Sequence, residues 1–62
     1  MPLVRNLGQG LLEVRSTIPD GIARILFKMF NGEMVLLHGI IKKTQKTPQQ
    51  DIETALERAK RY

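Results

Sequence analysis

The fold is decided by residues 22–43, which read IARILFKMFNGEMVLLHGIIKK. Two segments rich in apolar, β-branched and aromatic residues flank the pair Asn31-Gly32. Segments of this composition favour strands, and an Asn-Gly pair between them is the strongest short signal for a two-residue hairpin loop. The stretch therefore predicts an antiparallel β-hairpin formed by residues 22–30 and 33–43.

A further strand is predicted before this hairpin. Residues 11–17, LLEVRST, alternate in part and lead into a Pro-Asp-Gly turn at residues 19–21. In such a turn proline presets φ, aspartate bonds the backbone and glycine supplies a positive φ. Residues 1–10 hold one proline and two glycines, so they are predicted to be an irregular lead-in with weak strand character at residues 3–5.

The end of the chain changes from strand to helix periodicity. Its apolar residues recur at i, i+3, i+4 and i+7, at Ile52, Ala55, Leu56 and Ala59. Thr47 is the predicted N-cap, with Pro48 at the first helical position. The sequence thus predicts one α+β domain over residues 1–62. Its lead-in is 1–10, its sheet 11–43 and its helix 47–61, with three antiparallel strands in a meander, or four if the lead-in also pairs.

Composition limits what this fold can carry. A chain of 62 residues buries only about 60 % of its unfolded surface on folding, so its stability is marginal. There is no cysteine and one histidine, so no disulfide, metal site or cofactor is predicted. The net charge of +4 fits a polyanionic partner, either nucleic acid or an acidic protein, and fits ordinary surface solubility equally well.

No segment of the sequence has the pattern of a targeting or membrane signal. No charged n-region precedes an apolar core near Met1. The longest apolar run, residues 34–37, is far shorter than a membrane span. The expected location is therefore the cytoplasm, without membrane contact.

The hairpin register predicts a sheet that is apolar on both faces. Across a two-residue loop, residue 30 pairs with 33, 26 with 37 and 24 with 39. One face then carries Ile25, Phe27, Met29, Met34, Leu36, His38 and Ile40. A single helix covers one face only. The opposite face mixes apolar residues with positively charged ones, and it suits the narrow apolar stripe of the predicted helix. The first face is therefore expected to be bare, unless the lead-in folds over it.

Two arginines oppose each other on the mixed face of this predicted sheet. A four-residue connection at residues 18–21 places Arg15 opposite Arg24, with Gly39 on the other side of Arg24 and Lys43 two pairs further along. Opposed arginines repel unless an anion joins them, and local conflicts of this kind often mark function. The alternative is two solvated side chains splayed apart, and a one-residue bulge would break the arrangement. His38 falls on the apolar face and is read as structural.

Four stretches resemble one known protein family. Residues 7–15, LGQGLLEVR, resemble the L-x-x-G-L-x-E-L-R strand of the RelE/ParE toxin superfamily, and residues 24–27, RILF, resemble its Y-R-V-x-Y strand. Residues 35–48, VLLHGIIKKTQKTP, are similar to the LLHGFxKKTxKTP stretch of the phage-derived HigB-like branch, and residues 52–62 to its closing helix. The resemblance covers nearly the whole chain, and the 35–48 match is its most specific part.

This resemblance implies the toxin of a type II toxin–antitoxin system, an endoribonuclease that cuts mRNA on the ribosome. A helix-turn-helix antitoxin is then the expected partner. Members use basic residues around the scissile phosphate, and the matching positions here are Arg15, Arg24 and Lys43, the predicted catalytic residues. The predicted nucleic-acid-binding residues are Lys28, Lys42 and Lys46.

The chain also departs from the family pattern. The family's first strand and helical hairpin have no counterpart, and Ala23 stands where an aromatic residue usually precedes the strand arginine. We therefore expect a truncated toxin with reduced or no activity. The missing helices would cover the bare face, so a homo-oligomer through Ile25, Phe27 and Leu36 is expected. The alternatives are a non-catalytic remnant that binds an antitoxin or itself, and a basic RNA- or ribosome-binding module.

Overall fold

A computed structural model of the protein describes residues 3–43 and 46–62 and contains four strands followed by one helix. The elements are β1 (Leu3–Gly8), β2 (Leu11–Ile18), β3 (Gly21–Phe30), β4 (Glu33–Lys42) and α1 (Gln49–Arg61). The strands form one antiparallel sheet in the order β1-β2-β3-β4. The predicted α+β meander is confirmed in its four-stranded form.

The lead-in is more regular than predicted. Within it, β1 pairs with β2 from Leu3 opposite Arg15 to Gly8 opposite Leu11, which makes β1 an edge strand. A period-two pattern is hard to see here because polar and apolar residues mix. Residues 1, 2, 44 and 45, which belong to the predicted lead-in and to the 35–48 match, lie outside the described part of the chain.

The two turns give the predicted pairings, although the first has a two-residue loop in place of the predicted four-residue connection at residues 18–21. Asn31 and Gly32 both have positive φ, 50° and 82°, as a type I′ hairpin loop requires. Pro19 and Asp20 connect β2 to β3, and Ile18 pairs with Gly21. The pairings of Thr17 with Ile22 and of Arg15 with Arg24 therefore follow, and the opposed arginines are confirmed.

A β-bulge in β4 corrects the predicted register of the second hairpin. Leu26 pairs with His38 but Phe27 pairs with Leu36, so Leu37 is the extra residue. Each later residue of β4 moves to the opposite face from the one predicted. Ile40, not Gly39, opposes Arg24. The bulge lets Leu37 join the core beneath the helix while its neighbour His38 also contacts the helix.

The helix packs on one face of the sheet, which we call the covered face. Its buried core consists of Leu11, Leu26, Leu37 and Ala55, flanked by Leu7, Val35, Ile52, Leu56 and Ala59. The predicted helical stripe is thus the stripe that packs. The helix begins two residues later than predicted, because Pro48 is the N-cap and makes no side-chain cap bond. Thr47, the predicted N-cap, is buried and bonds Glu13 instead.

The opposite side of the sheet, which we call the open face, has no covering layer in the described chain. Strand alternation places six exposed large apolar residues there, namely Val4, Ile25, Met29, Met34, Leu36 and Ile41. Phe27 lies among them and is buried. The lead-in forms β1 at the sheet edge rather than folding over this face. The described residues include no helix long and apolar enough to cross a membrane.

Candidate functional site

The two opposed arginines meet a carboxylate in the covered face. Arg15 Nε donates to Glu13 Oε1 over 2.7 Å, and Arg24 Nε lies 3.8 Å from Glu13 Oε2. Glu13 precedes Arg15 by two residues and so shares its face. Thr47 Oγ1, at the approach to α1, donates to the same Oε2 atom. The anion needed to join two opposed arginines is therefore supplied by the chain itself.

The residues of this cluster are buried to different degrees. The side chains of Glu13 and Arg24 are 0 % exposed, whereas that of Arg15 is 18 % exposed. Burial by itself raises the pKa of Glu13, but the Thr47 hydroxyl and the two arginines outweigh it. The pKa of Glu13 consequently lies below its ordinary value of 4.5, and the carboxylate is ionised at neutral pH. Two guanidinium groups around one carboxylate leave an excess of one positive charge.

Arg15 is the member of the cluster that has both exposure and an unused donor. Its Nη2 atom is shielded from solvent and has no hydrogen-bond partner among the described residues. A guanidinium group holds phosphate or carboxylate oxygens through paired donors. Of the three predicted catalytic residues, Arg15 is the one placed to reach an anion at the edge of the cluster.

The bulge in β4 changes which lysine accompanies the arginines. Lys42 pairs with Ile22 and so shares the covered face with Arg24, with its Nζ 4.0 Å from Asp51 Oδ2. Lys43 follows the last residue of β4 and is exposed, which corrects its predicted position on the arginine face. Both lysines remain at the same end of the strand as the cluster.

The other two predicted RNA-binding lysines lie apart from one another. Lys46 is exposed close to Thr47 and the cluster. Lys28 lies four residues along β3 from Arg24, about 13 Å away. Its Nζ sits 5.8 Å from the centre of the Phe30 ring. Phe30 in turn packs on Tyr62, with 4.8 Å between the ring centres. Tyr62 therefore packs at the far end of the sheet, away from the cluster.

A second polar cluster fastens α1 to β4. His38 Nε2 lies 2.8 Å from Asp51 Oδ1, and Arg58 Nη1 lies 3.0 Å from His38 Nδ1. Arginine can only donate, so Nδ1 accepts and Nε2 carries the proton given to Asp51. Arg58 also donates to the carbonyl oxygen of Leu37 at the bulge. The prediction that His38 lies on the apolar face was wrong, because the bulge turns it toward the helix.

Sequence reasoning missed two members of the first cluster. Glu13 appeared only as a letter in a matched motif, although its spacing of two from Arg15 signals a shared face. Thr47 was assigned to capping, and its contact with Glu13 joins residues 34 positions apart, which no local pattern reveals. Among residues 3–43 and 46–62, no group of three acidic, histidine or cysteine side chains could hold a metal ion.

Comparison with known protein families identifies a family model that matches this chain. The family model described as "Phage derived protein Gp49-like (DUF891)" matches residues 1–60 of the 62-residue chain. No curated protein and no solved structure matches the chain significantly. The match extends over all four strands and nearly all of α1.

Proposed function

The chain belongs to the Gp49-like family of phage-derived proteins, and we propose that it is the toxin of a type II toxin–antitoxin system that cleaves mRNA. The family is RelE-like, which agrees with the resemblance in the strand motifs. The finer assignments to the HigB-like branch and to a ribosome-dependent endoribonuclease are part of the proposal. So are a helix-turn-helix antitoxin and the ribosome as partners.

The observation that carries this proposal is the pair of opposed arginines around an ionised Glu13. RNA cleavage by an internal hydroxyl needs a base for the 2′-OH and positive charge for the phosphorane. The Glu13 carboxylate is ionised at neutral pH and is the proposed base. Arg15 and Arg24 provide the charge, since guanidinium donors match phosphate oxygens. These groups lie within one cluster of neighbouring strand residues.

The proposed step is a transesterification. Glu13 takes the proton of the 2′-OH, and the 2′ oxygen forms a bond to the adjacent phosphorus. Arg15 and Arg24 stabilise the phosphorane while the bond from phosphorus to the 5′ oxygen breaks. That oxygen takes a proton from Lys42, which shares the covered face with Arg24. The products are a 2′,3′-cyclic phosphate and a 5′-hydroxyl end. Glu13 gains one proton and the lysine loses one, so atoms and charges balance.

Access to this site requires movement near Thr47. Glu13 and Arg24 are fully buried, and the Thr47 hydroxyl occupies one oxygen of the proposed base. The phosphate is proposed to enter beside Arg15, which retains partial exposure, and to displace the Thr47 contact. The exposed Lys46 is the chain neighbour of Thr47 and would attract the RNA backbone to this approach.

A second candidate function rests on the same burial. A buried ion pair between Glu13 and Arg24 also serves a purely structural role, and in that case the chain is a non-catalytic protein that binds an antitoxin or another protein. The exposed apolar residues of the open face favour this reading. A basic RNA-binding module without chemistry is the remaining alternative from the net charge of +4.

Cleavage of a reporter mRNA in a translation extract tests the proposal. Wild-type protein should cleave, and Arg15→Lys should lower the rate by about 10²-fold, because it keeps the charge and loses the paired donors. Arg61→Lys is the matched control, since this arginine is exposed at the end of α1, and it should leave cleavage unchanged. Circular dichroism checks that each variant folds.

The other outcomes distinguish the rival functions. A folded wild-type chain that binds RNA with strong salt dependence but leaves it intact would favour the binding module. A folded chain that neither cleaves nor binds RNA would favour the protein-binding reading. Equal losses in Arg15→Lys and Arg61→Lys would remove the cluster from the proposed mechanism.

A further inference from the structure

The charges of the sheet are distributed opposite to the usual pattern. The seven charged residues of the four strands all fall on the covered face, by the pairings of β1 through β4: Arg5, Glu13, Arg15, Arg24, Lys28, Glu33 and Lys42. A sheet with one solvated face normally alternates apolar residues inward with polar residues outward. Here the face without a helix carries no charged strand residue and holds exposed Leu36 and Met34.

We infer that the open face is the interface of a homodimer, in which two copies of this chain pack sheet against sheet about a two-fold axis. Two sheets that pack face to face lie about 10 Å apart with their apolar side chains interdigitated. The pairing would give each chain the third layer that its open face lacks, namely the sheet of the other copy.

The size of the open face is sufficient for such a dimer. The strands hold 6, 8, 10 and 10 residues, and each strand residue occupies roughly 16 Å² of a sheet. The sheet therefore presents about 540 Å² per copy, before the relief of the side chains is added. Two such faces bury roughly 1,100 Å² in total, which passes the approximate 1,000 Å² expected of a specific interface.

The shape of the open face fits a self-complementary contact. Leu36 projects with 63 % of its surface exposed. An open hollow of about 470 Å³ lies on the same sheet over Gly39, between Ile25 and Ile41. In a two-fold interface each patch meets its own counterpart. The projecting residue of one copy can then enter the hollow of the other, and the reverse.

Charge favours a second copy over other occupants. The chain has a net charge of +4, so two copies that met through their covered faces would repel. Sheet-to-sheet packing instead holds the charged strand residues on the two outer sides, more than 10 Å apart, where salt screens them. A nucleic acid or an anionic membrane would be attracted by cations, and the strands place none on the open face.

Sedimentation velocity from about 5 to about 200 μM tests the inference directly. The wild-type chain of 7.1 kDa should sediment as a dimer at the upper concentrations. Leu36→Lys should raise the dimer Kd by more than about tenfold, because it buries a charge on both sides of the axis. Gln49→Lys adds the same charge at an exposed position of α1 and should leave the Kd unchanged.

Two further measurements keep the test valid if Leu36→Lys folds poorly. Gly39→Leu fills the hollow and should also weaken the dimer. A Cβ at Gly39 meets only the Arg24 carbonyl oxygen at 4.0 Å, so the monomer tolerates it. In the wild type, oxidation of the exposed Met29 and Met34 by peroxide should slow as concentration rises and the dimer forms.

Several results would overturn the inference. A folded wild-type monomer at about 200 μM would assign the open face to a different protein. Open aggregates in place of a closed dimer would exclude the two-fold arrangement. A wild-type chain that stays unfolded at these concentrations would also contradict it, because the proposed dimer is made of folded chains. So would a dimer that Leu36→Lys and Gly39→Leu leave unchanged.

Discussion

The two faces of this sheet are built from alternate residues of the same strands, yet they differ in chemistry. The covered face combines an apolar core at Leu11 and Leu26 with a buried charged cluster at Glu13 and Arg24. The open face is uncharged along the strands and exposes large apolar residues. The helix therefore covers the face that contains charge, and the apolar face is left without a layer.

This difference shows that burial in the folded chain is not assigned by hydrophobicity alone. The covered face tolerates two arginines because Glu13 supplies their counter-charge, and Thr47 donates a hydrogen bond to that carboxylate. The open face has no such need, and its side chains can enter a dry interface. Each face is suited to burial, but by a different mechanism.

The largest expected effect comes from removing the carboxylate of the covered face. Glu13→Gln leaves the buried Arg24 and the partly exposed Arg15 without their counter-charge and should destabilise the fold by about 3–5 kcal/mol. Urea unfolding measures the change. Glu57→Gln removes an exposed partner of Arg61 in α1 and should cost less than about 0.5 kcal/mol. Equal effects of the two substitutions would refute the structural role of the cluster.

The same substitution on the two faces should separate them. Leu26→Ala removes a side chain that is 0 % exposed in the core and should cost about 2–5 kcal/mol. Leu36→Ala acts on the open face and should cost less than about 1 kcal/mol in dilute solution, where little dimer forms. The loss in Leu36→Ala should grow with protein concentration, as unfolding of a dimer requires. A loss that is the same at all concentrations would contradict the proposed dimer.

The smallest expected effect is a pH dependence that belongs to the covered face. The folded chain holds the pKa of Glu13 below its ordinary 4.5, so the unfolded chain binds more protons between these two values. Stability from this group is therefore complete above about pH 4.5 and is lost as pH falls through the folded pKa. Urea unfolding at successive pH values should show a steeper acid loss for wild type than for Glu13→Gln. Identical slopes would show that Glu13 titrates alike in both states.

Much of the fold was readable because it depends on near neighbours. The Asn31-Gly32 loop determines the turn of one hairpin, and the turn at Pro19 and Asp20 determines that Arg15 pairs with Arg24. The helical stripe from Ile52 to Ala59 also follows from spacing alone. The bulge at Leu37 was not readable, because its benefit comes from contacts with the helix. Because the bulge was not predicted, His38 and Lys43 were both assigned to the wrong face of the sheet.

The candidate site was predictable only in part for the same reason. The opposed arginines come from strand register, which the turns determine. Their burial and their shared contact with Glu13 depend on how α1 and the segment before it pack on the sheet. Whether the arginines act on RNA remains a proposal that the cleavage experiment tests.

The sequence by itself determined the antiparallel meander and the closing helix, because turn residues and periodic side chains act over a few positions. Only the tertiary structure decided that β1 pairs as an edge strand, that Leu37 bulges and that Thr47 bonds Glu13. These features arise where distant segments meet, and the free energy of those contacts outweighs local preference. The resulting sheet has one face covered by a helix and containing buried charge, and one apolar face without a covering layer in the described residues.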